Sequence, residues 1–129
     1  MTTELEMLAW TAAFTLLLWV PYILEHIGNV SMMEALTYRA DATPLPDWAA
    51  RAKKAHYNAI ENLAPFAAVV LVAHAAGVSN ETTALAAVIY LVARIAHYFL
   101  YVAAVPFGRT LTFSVGWLAT LAIAWQVLF

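Results

Sequence analysis

The amino-acid sequence predicts an all-α membrane protein, built as an up-and-down bundle of four transmembrane helices. Hydrophobic residues make up 64% of the 129 residues and charged residues only 11%, whereas soluble domains average about 45–50% apolar and about 25% charged. Four apolar stretches approach the roughly 20 residues that a helix needs to cross a bilayer. The second and third connections are short, which favours antiparallel neighbours. A chain of this length is expected to form one domain, residues 1–129.

The four spans are bounded by helix breakers and turn residues. The N-terminal flank carries two Glu and no basic residue, so the first span is expected to be permanent and not a cleaved signal peptide. Pro21 marks a kink or exit point in it. Gly77 and Asn80 supply the second turn, and Pro106 stops the third span. The predicted spans are residues 5–24, 52–76, 82–105 and 111–129.

The basic residues are concentrated in two of the three connections. The long first connection, about residues 25–51, and its flank carry Arg39, Arg51, Lys53 and Lys54, and the third connection carries Arg109. By the positive-inside rule these two connections are cytoplasmic and both termini lie outside. The net charge of −2 gives no indication of a nucleic-acid partner.

Polar side chains enter two spans on single helical faces. In each set the spacing of three, four or seven residues brings the side chains to one side of a helix. Antiparallel second and third helices would place the two sets at similar depth. The sets are Lys54, Asn58 and Glu61 on the second span, and Arg94, His97 and Tyr101 on the third.

Glu61 and Arg94 are the charges deepest in these sets. An isolated charge at that depth costs at least several kcal/mol, so both are expected to face inward and pair. Such a pair is either a structural contact that fixes helix register or a functional one. Together with Arg109, the polar residues predict a net-cationic pocket that opens to the cytoplasmic side.

Several other kinds of site are excluded by the sequence. The chain contains no Cys, which removes disulfides, Cys-ligated metals and a protein thiol nucleophile. His56 and His74 lie at opposite ends of one span, and no HExxH spacing occurs, so no metal site is expected. No GxSxG motif or glycine-rich phosphate loop is present.

The segments RAKKAHYNAIENLAPF and ARIAHYFLYVAAVPFGRTLTF resemble the MAPEG family, the membrane-associated proteins of eicosanoid and glutathione metabolism. The resemblance is strongest over residues 51–117 and closest to bacterial members. It implies a homotrimer in the bacterial inner membrane. It also implies that glutathione, as cosubstrate, binds between neighbouring subunits near the cytoplasmic face.

The resemblance also implies roles for individual positions. Arg109 matches the arginine beside the glutathione sulfur and is the expected catalytic residue. Thr110 keeps a hydroxyl where the prostaglandin branch has Ser, and Arg39 is a loose match for the basic residue after the first helix. The implied glutathione-binding residues are Lys54, Asn58, Glu61, Arg94, His97, Tyr101, Arg39 and Thr110.

Three positions depart from the characterised branches of the family. Tyr57 stands where the prostaglandin E synthase branch has Arg, and Asn62 where the leukotriene synthase branch has Tyr. Phe113 stands where several members have a Tyr hydroxyl. These differences argue against either eicosanoid activity.

The expected function is that of a membrane-bound transferase or peroxidase, which uses the glutathione thiolate on lipophilic electrophiles. The first alternative is a non-catalytic protein of the same fold that binds a lipid or serves as a scaffold. A remote alternative is a small multidrug-type transporter driven by a membrane Glu. That alternative is disfavoured because Glu61 has an expected Arg partner, while the first span carries Glu6 and Glu25 only at its ends.

Overall fold

The computed structural model describes residues 1–37 and 43–129, and the regular secondary structure in these ranges is entirely helical. Four helical runs are long and apolar enough to cross a membrane, with the first two helices forming one run, Thr3–Val30. The predicted all-α architecture with four membrane-spanning helices is thereby confirmed. The helices are α1 (Thr3–Leu17), α2 (Val20–Val30), α3 (Met32–Ala35), α4 (Asp47–Ala75), α5 (Glu81–Val102) and α6 (Gly108–Leu128).

Contacts at successive levels define the directions of the long helices. Along α4 and α5, residue numbers rise on one helix as they fall on the other, so the two are antiparallel. Helices α5 and α6 are related in the same way, whereas α1 and α5 are parallel. The defining contacts are Arg51–Val102, Asn58–Arg94 and Phe66–Tyr90 for α4 and α5, Asn80–Gln126 and His97–Arg109 for α5 and α6, and Glu4–Thr83 and Phe14–Tyr98 for α1 and α5.

Helix α4 packs against the rest of the bundle through two kinds of surface. Towards the α4–α5 turn, the Phe66 ring stacks on the Tyr90 ring with centroids 3.6 Å apart. In the other half, a line of buried alanines faces Leu18, Tyr22 and Tyr98. Small side chains let helix backbones approach closely. The alanines are Ala49, Ala52, Ala55 and Ala59.

Pro21, the second residue of α2, accounts for the break between α1 and α2 and agrees with the predicted kink. Helix α1 ends at Leu17 and α2 begins at Val20. Proline has no N–H for a helical hydrogen bond, and its ring collides with the carbonyl four residues earlier, here that of Leu17. The chain does not leave the bundle at residue 24, however, because α2 continues to Val30.

The first connection is shorter than the sequence predicted. Helix α4 begins at Asp47 and not near residue 52, so the whole segment DWAARAKK, residues 47–54, is helical. Pro46 has extended backbone angles and precedes the helix, and Asp47 places an acidic side chain in the first turn, where it interacts favourably with the helix dipole. Arg51, Lys53 and Lys54 therefore occupy defined faces of a helix.

Candidate functional site

A cavity of about 420 Å³, here called the charged cavity, lies where the first turns of α4 and α6 meet the end of α5. Its polar lining consists of two guanidinium groups, one ammonium group, a phenol and a hydroxyl. Four of the predicted residues line it, so residues from α4, α5 and α6 meet at one cavity. The polar lining residues are Arg51, Lys54, Tyr101, Arg109 and Thr110.

Arg51 belongs to this cavity although sequence reasoning did not select it. Its Nε donates to the carbonyl oxygen of Val102 at 2.9 Å, at the end of α5, where helix carbonyls lack partners within the helix. Arg51 also contributes to the lining of the charged cavity. The predicted helix boundary near residue 52 places Arg51 in the first connection, but Arg51, Lys54 and Asn58 are spaced three and four residues apart. That spacing is the signal that could have identified it.

Arg109 is positioned by two residues of α5. Its guanidinium carbon lies 5.0 Å from the centroid of the Tyr101 ring, within range of a cation–π interaction. His97 Nδ1 lies 2.9 Å from the Arg109 carbonyl oxygen, an arrangement in which a protonated Nδ1 donates. His97 is buried and does not line the cavity. Its geometry instead holds the first turn of α6 against α5.

The turn between α5 and α6 forms one wall of the charged cavity and contains unusual backbone. Helix α5 ends at Val102 rather than residue 105, because Ala104 has φ +55° and closes a Schellman motif. Phe107 has φ +61° and precedes α6, for which no described side chain provides a cap. Left-handed backbone at a non-glycine residue costs about 1–2 kcal/mol. Such conformations often persist at functional sites.

A buried hydrogen-bond network lies deeper in the bundle than the charged cavity. Arg94 is only 3% exposed, and its Nη2 donates to Asn58 Oδ1 at 2.6 Å. Asn62 Nδ2 in turn donates to the Asn58 carbonyl oxygen at 2.8 Å. Asn62, which departs from the leukotriene synthase pattern, thus supports Asn58. Within the described ranges, Arg94 Nε has no hydrogen-bond partner.

The predicted pairing of Glu61 with Arg94 is wrong for the single chain. Glu61 is exposed on the outer face of α4, while Asn58 holds the guanidinium. Three residues along an α-helix turn the side-chain direction by about 300°, so Glu61 lies about 60° away from the direction of Asn58. That rotation is enough to move it from the bundle interior to its surface.

The remaining predicted residue, Arg39, lies outside the described residues. Of the others, Lys54, Tyr101, Arg109 and Thr110 share the charged cavity, Asn58 and Arg94 form the deeper network, and His97 contacts the start of α6. Glu61 joins neither group.

Comparison with known proteins identifies the family. The family model described as MAPEG family matches residues 7–129, nearly the whole chain. No curated protein and no solved structure matches the sequence. With four helices able to cross a bilayer, the chain is an integral membrane protein that belongs to the MAPEG family.

Proposed function

We propose that the protein is a glutathione-dependent transferase or peroxidase that acts on lipophilic electrophiles. The observation that carries this proposal is the convergence of three cationic side chains, Arg51, Lys54 and Arg109, on one cavity of about 420 Å³. That volume lies within the roughly 300–1,000 Å³ typical of small-molecule sites.

The cationic lining complements the anionic groups of glutathione. Glutathione carries two carboxylates, an amine and a thiol. Arg51 and Lys54, one turn apart on α4, can each bind a carboxylate. Arg109 lies across the cavity at the start of α6, where the uncapped N–H groups and the helix dipole also favour an anion.

The proposed role of Arg109 is to favour the thiolate. A thiol with a pKa of about 8.5 is mostly protonated at neutral pH, and a nearby cation shifts the balance towards the nucleophilic anion. The sulfur then forms a bond to an electrophilic carbon while the leaving group departs with its electron pair. In the peroxidase reaction two glutathione molecules become the disulfide, and the lipid hydroperoxide becomes an alcohol and water.

A homotrimer would complete this site. Glu61 lies seven residues after Lys54, the last of the basic residues at the start of α4, which is roughly 10 Å along the helix, and its side chain is exposed on a single chain. A carboxylate facing lipid at that depth is costly, so a neighbouring subunit is the expected cover. Lipophilic substrates would then enter laterally from the bilayer, and the charged cavity would open to the cytoplasmic side of the bacterial inner membrane.

Calorimetric titration of the detergent-solubilised protein with glutathione tests the binding step. The charge-removing variant Lys54→Gln should weaken binding about fivefold to tenfold, the loss of one charge-assisted hydrogen bond. Lys53→Gln is the matched control, because Lys53 does not line the charged cavity. Equal affinities for all three proteins would remove the charged cavity as the glutathione site.

Turnover requires a separate measurement. The purified protein should conjugate glutathione to an aryl halide at neutral pH. Binding without conjugation of any electrophile or reduction of a lipid hydroperoxide would favour the non-catalytic alternative. Phe113 is the observation behind that alternative, because its ring lies 6.4 Å from the His97 ring and carries no hydroxyl.

A further inference from the structure

A second cavity, of about 340 Å³, lies on another side of α4 at the same end of the bundle. It is formed by α2, α3, Thr43 and Leu45 before α4, and one lysine of α4. We propose that this second cavity binds the phosphate headgroup of an anionic phospholipid. The lining residues are Tyr22, Ile23, His26, Ala35, Thr43, Leu45 and Lys53.

The polar lining offers three different donors to a phosphate. Lys53 supplies an ammonium group, Thr43 a hydroxyl and His26 a ring N–H. The Lys53 Nζ lies 5.8 Å from the centroid of the Tyr57 ring, a cation–π contact that restrains the flexible side chain. The acidic neighbour Glu25 already accepts a hydrogen bond from Asn29 at 2.9 Å. Basic pockets between transmembrane helices are typical binding sites of anionic lipid headgroups.

The surroundings of the second cavity favour a lipid over a soluble phosphate. The short α3 segment beside it exposes Met33 and Leu36 by 74% and 75%. Apolar side chains of that kind next to a span are expected to lie at the boundary of headgroups and acyl chains. Leu24 and Trp19 are also exposed along the run of α1 and α2, where acyl chains can pack. A headgroup in the cavity would therefore have its chains beside the same helices.

The second cavity is separate from the charged cavity even though their lysines are adjacent in sequence. Lys53 lines the second cavity and Lys54 lines the charged cavity. Consecutive residues on an α-helix point about 100° apart, so α4 presents one lysine to each side. Lipid binding at Lys53 is therefore not expected to require Lys54.

Native mass spectrometry of the intact protein, released from nanodiscs of mixed phosphatidylglycerol and phosphatidylcholine, tests this proposal. The parent protein should retain phosphatidylglycerol in preference to phosphatidylcholine. Lys53→Gln should lower that retention about fivefold, the loss of one lysine–anionic lipid interaction. Lys54→Gln should leave retention unchanged, and Lys53→Arg, which keeps the charge, should preserve it.

Three results would overturn the proposal. Equal losses in Lys53→Gln and Lys54→Gln would indicate general surface electrostatics and not a cavity. Equal retention of the two lipids would remove the role of the anionic headgroup. Displacement of phosphatidylglycerol by millimolar inorganic phosphate would show that the second cavity takes a free phosphate ion. Persistence of the lipid under that competition is the expected result.

Discussion

The turn between α4 and α5 and the turn between α5 and α6 both end one helix and begin the next, but they do so with different residues. Each begins with a Schellman motif. In the first, Gly77 adopts φ +70° and Asn80 forms a capping box with Thr83. In the second, the left-handed positions are Ala104 and Phe107, and no described side chain caps α6. The strained turn is the one that lines the charged cavity, whereas the relaxed turn lies at the opposite end.

The buried polar groups near the two ends of the bundle differ in their hydrogen-bond partners. Near the relaxed turn, Glu4 is 3% exposed, and its carboxylate accepts hydrogen bonds from the hydroxyls of Ser79 and Thr83. Towards the charged cavity, Arg94 Nε and His97 Nε2 have no partner in the described ranges. Tyr90 Oη, in the half of the bundle towards the relaxed turn, also lacks a partner in the described ranges, so unsatisfied buried groups occur on both sides of the bundle's middle.

The largest effect is expected from Asn58→Leu. Loss of the amide leaves the buried Arg94 guanidinium without its acceptor, which should destabilise the protein by about 3 kcal/mol. Unfolding of the detergent-solubilised protein by a denaturing surfactant measures the change.

A double-mutant cycle locates the partner of Arg94. Arg94→Leu should recover part of the loss in Asn58→Leu, because no buried charge then remains. The same cycle with Glu61→Gln should be additive, since Glu61 is exposed and does not hold the guanidinium in the single chain. Strong coupling of Glu61 and additivity of Asn58 would show that the hydrogen bond is assigned to the wrong residue.

A smaller effect is expected at the structural end from Thr83→Val. The substitution removes a hydroxyl that donates to the Glu4 carboxylate, and it should destabilise the protein by about 2 kcal/mol. Thr82→Val is the matched control, because Thr82 is adjacent and exposed. Equal unfolding midpoints for the two variants would mean that the Glu4 contact contributes little.

The smallest effects are expected at the two turns, and they have opposite signs. Gly77→Ala forces a side chain into left-handed backbone and should lower stability by about 1 kcal/mol, while Ala104→Gly relieves the same strain and should raise it by about as much. Both variants are compared with the parent in one unfolding series. A shift of the same sign in both would contradict the assigned difference in strain.

Much of the fold follows from local sequence patterns. Apolar length and the breakers Pro21, Gly77 and Pro106 predicted the number of long helices and their order. The start of α4 could not be predicted from apolar character, because its first turns are Ala- and charge-rich and are held by the packing of Ala49 and Ala52 and by the hydrogen bond from Arg51 to Val102. The predicted boundary near residue 52 leaves Arg51 in a loop. The face that Arg51 shares with Lys54 on α4 is therefore not evident from the predicted helix.

The sequence predicted part of the lining of the charged cavity, but not the contacts of the buried Arg94. Helical spacing grouped Lys54 with Asn58, and the charged cavity does contain Lys54, Tyr101 and Arg109. Spacing alone did not distinguish Asn58 from Glu61 as the partner of Arg94. Asn58 and Glu61 point about 60° apart around the axis of α4. Which of the two faces Arg94 depends on how α4 packs against α5.

The state of the thiol in bound glutathione tests most directly the claim that the charged cavity generates a thiolate. Ultraviolet absorbance of the thiolate against pH should give a midpoint well below the value of about 8.5 for a free thiol. Arg109→Ala should move that midpoint upward towards the free value while binding falls only modestly, and Lys53→Ala should leave it unchanged. An unchanged midpoint in Arg109→Ala, or no thiolate signal in the parent at neutral pH, would contradict the account.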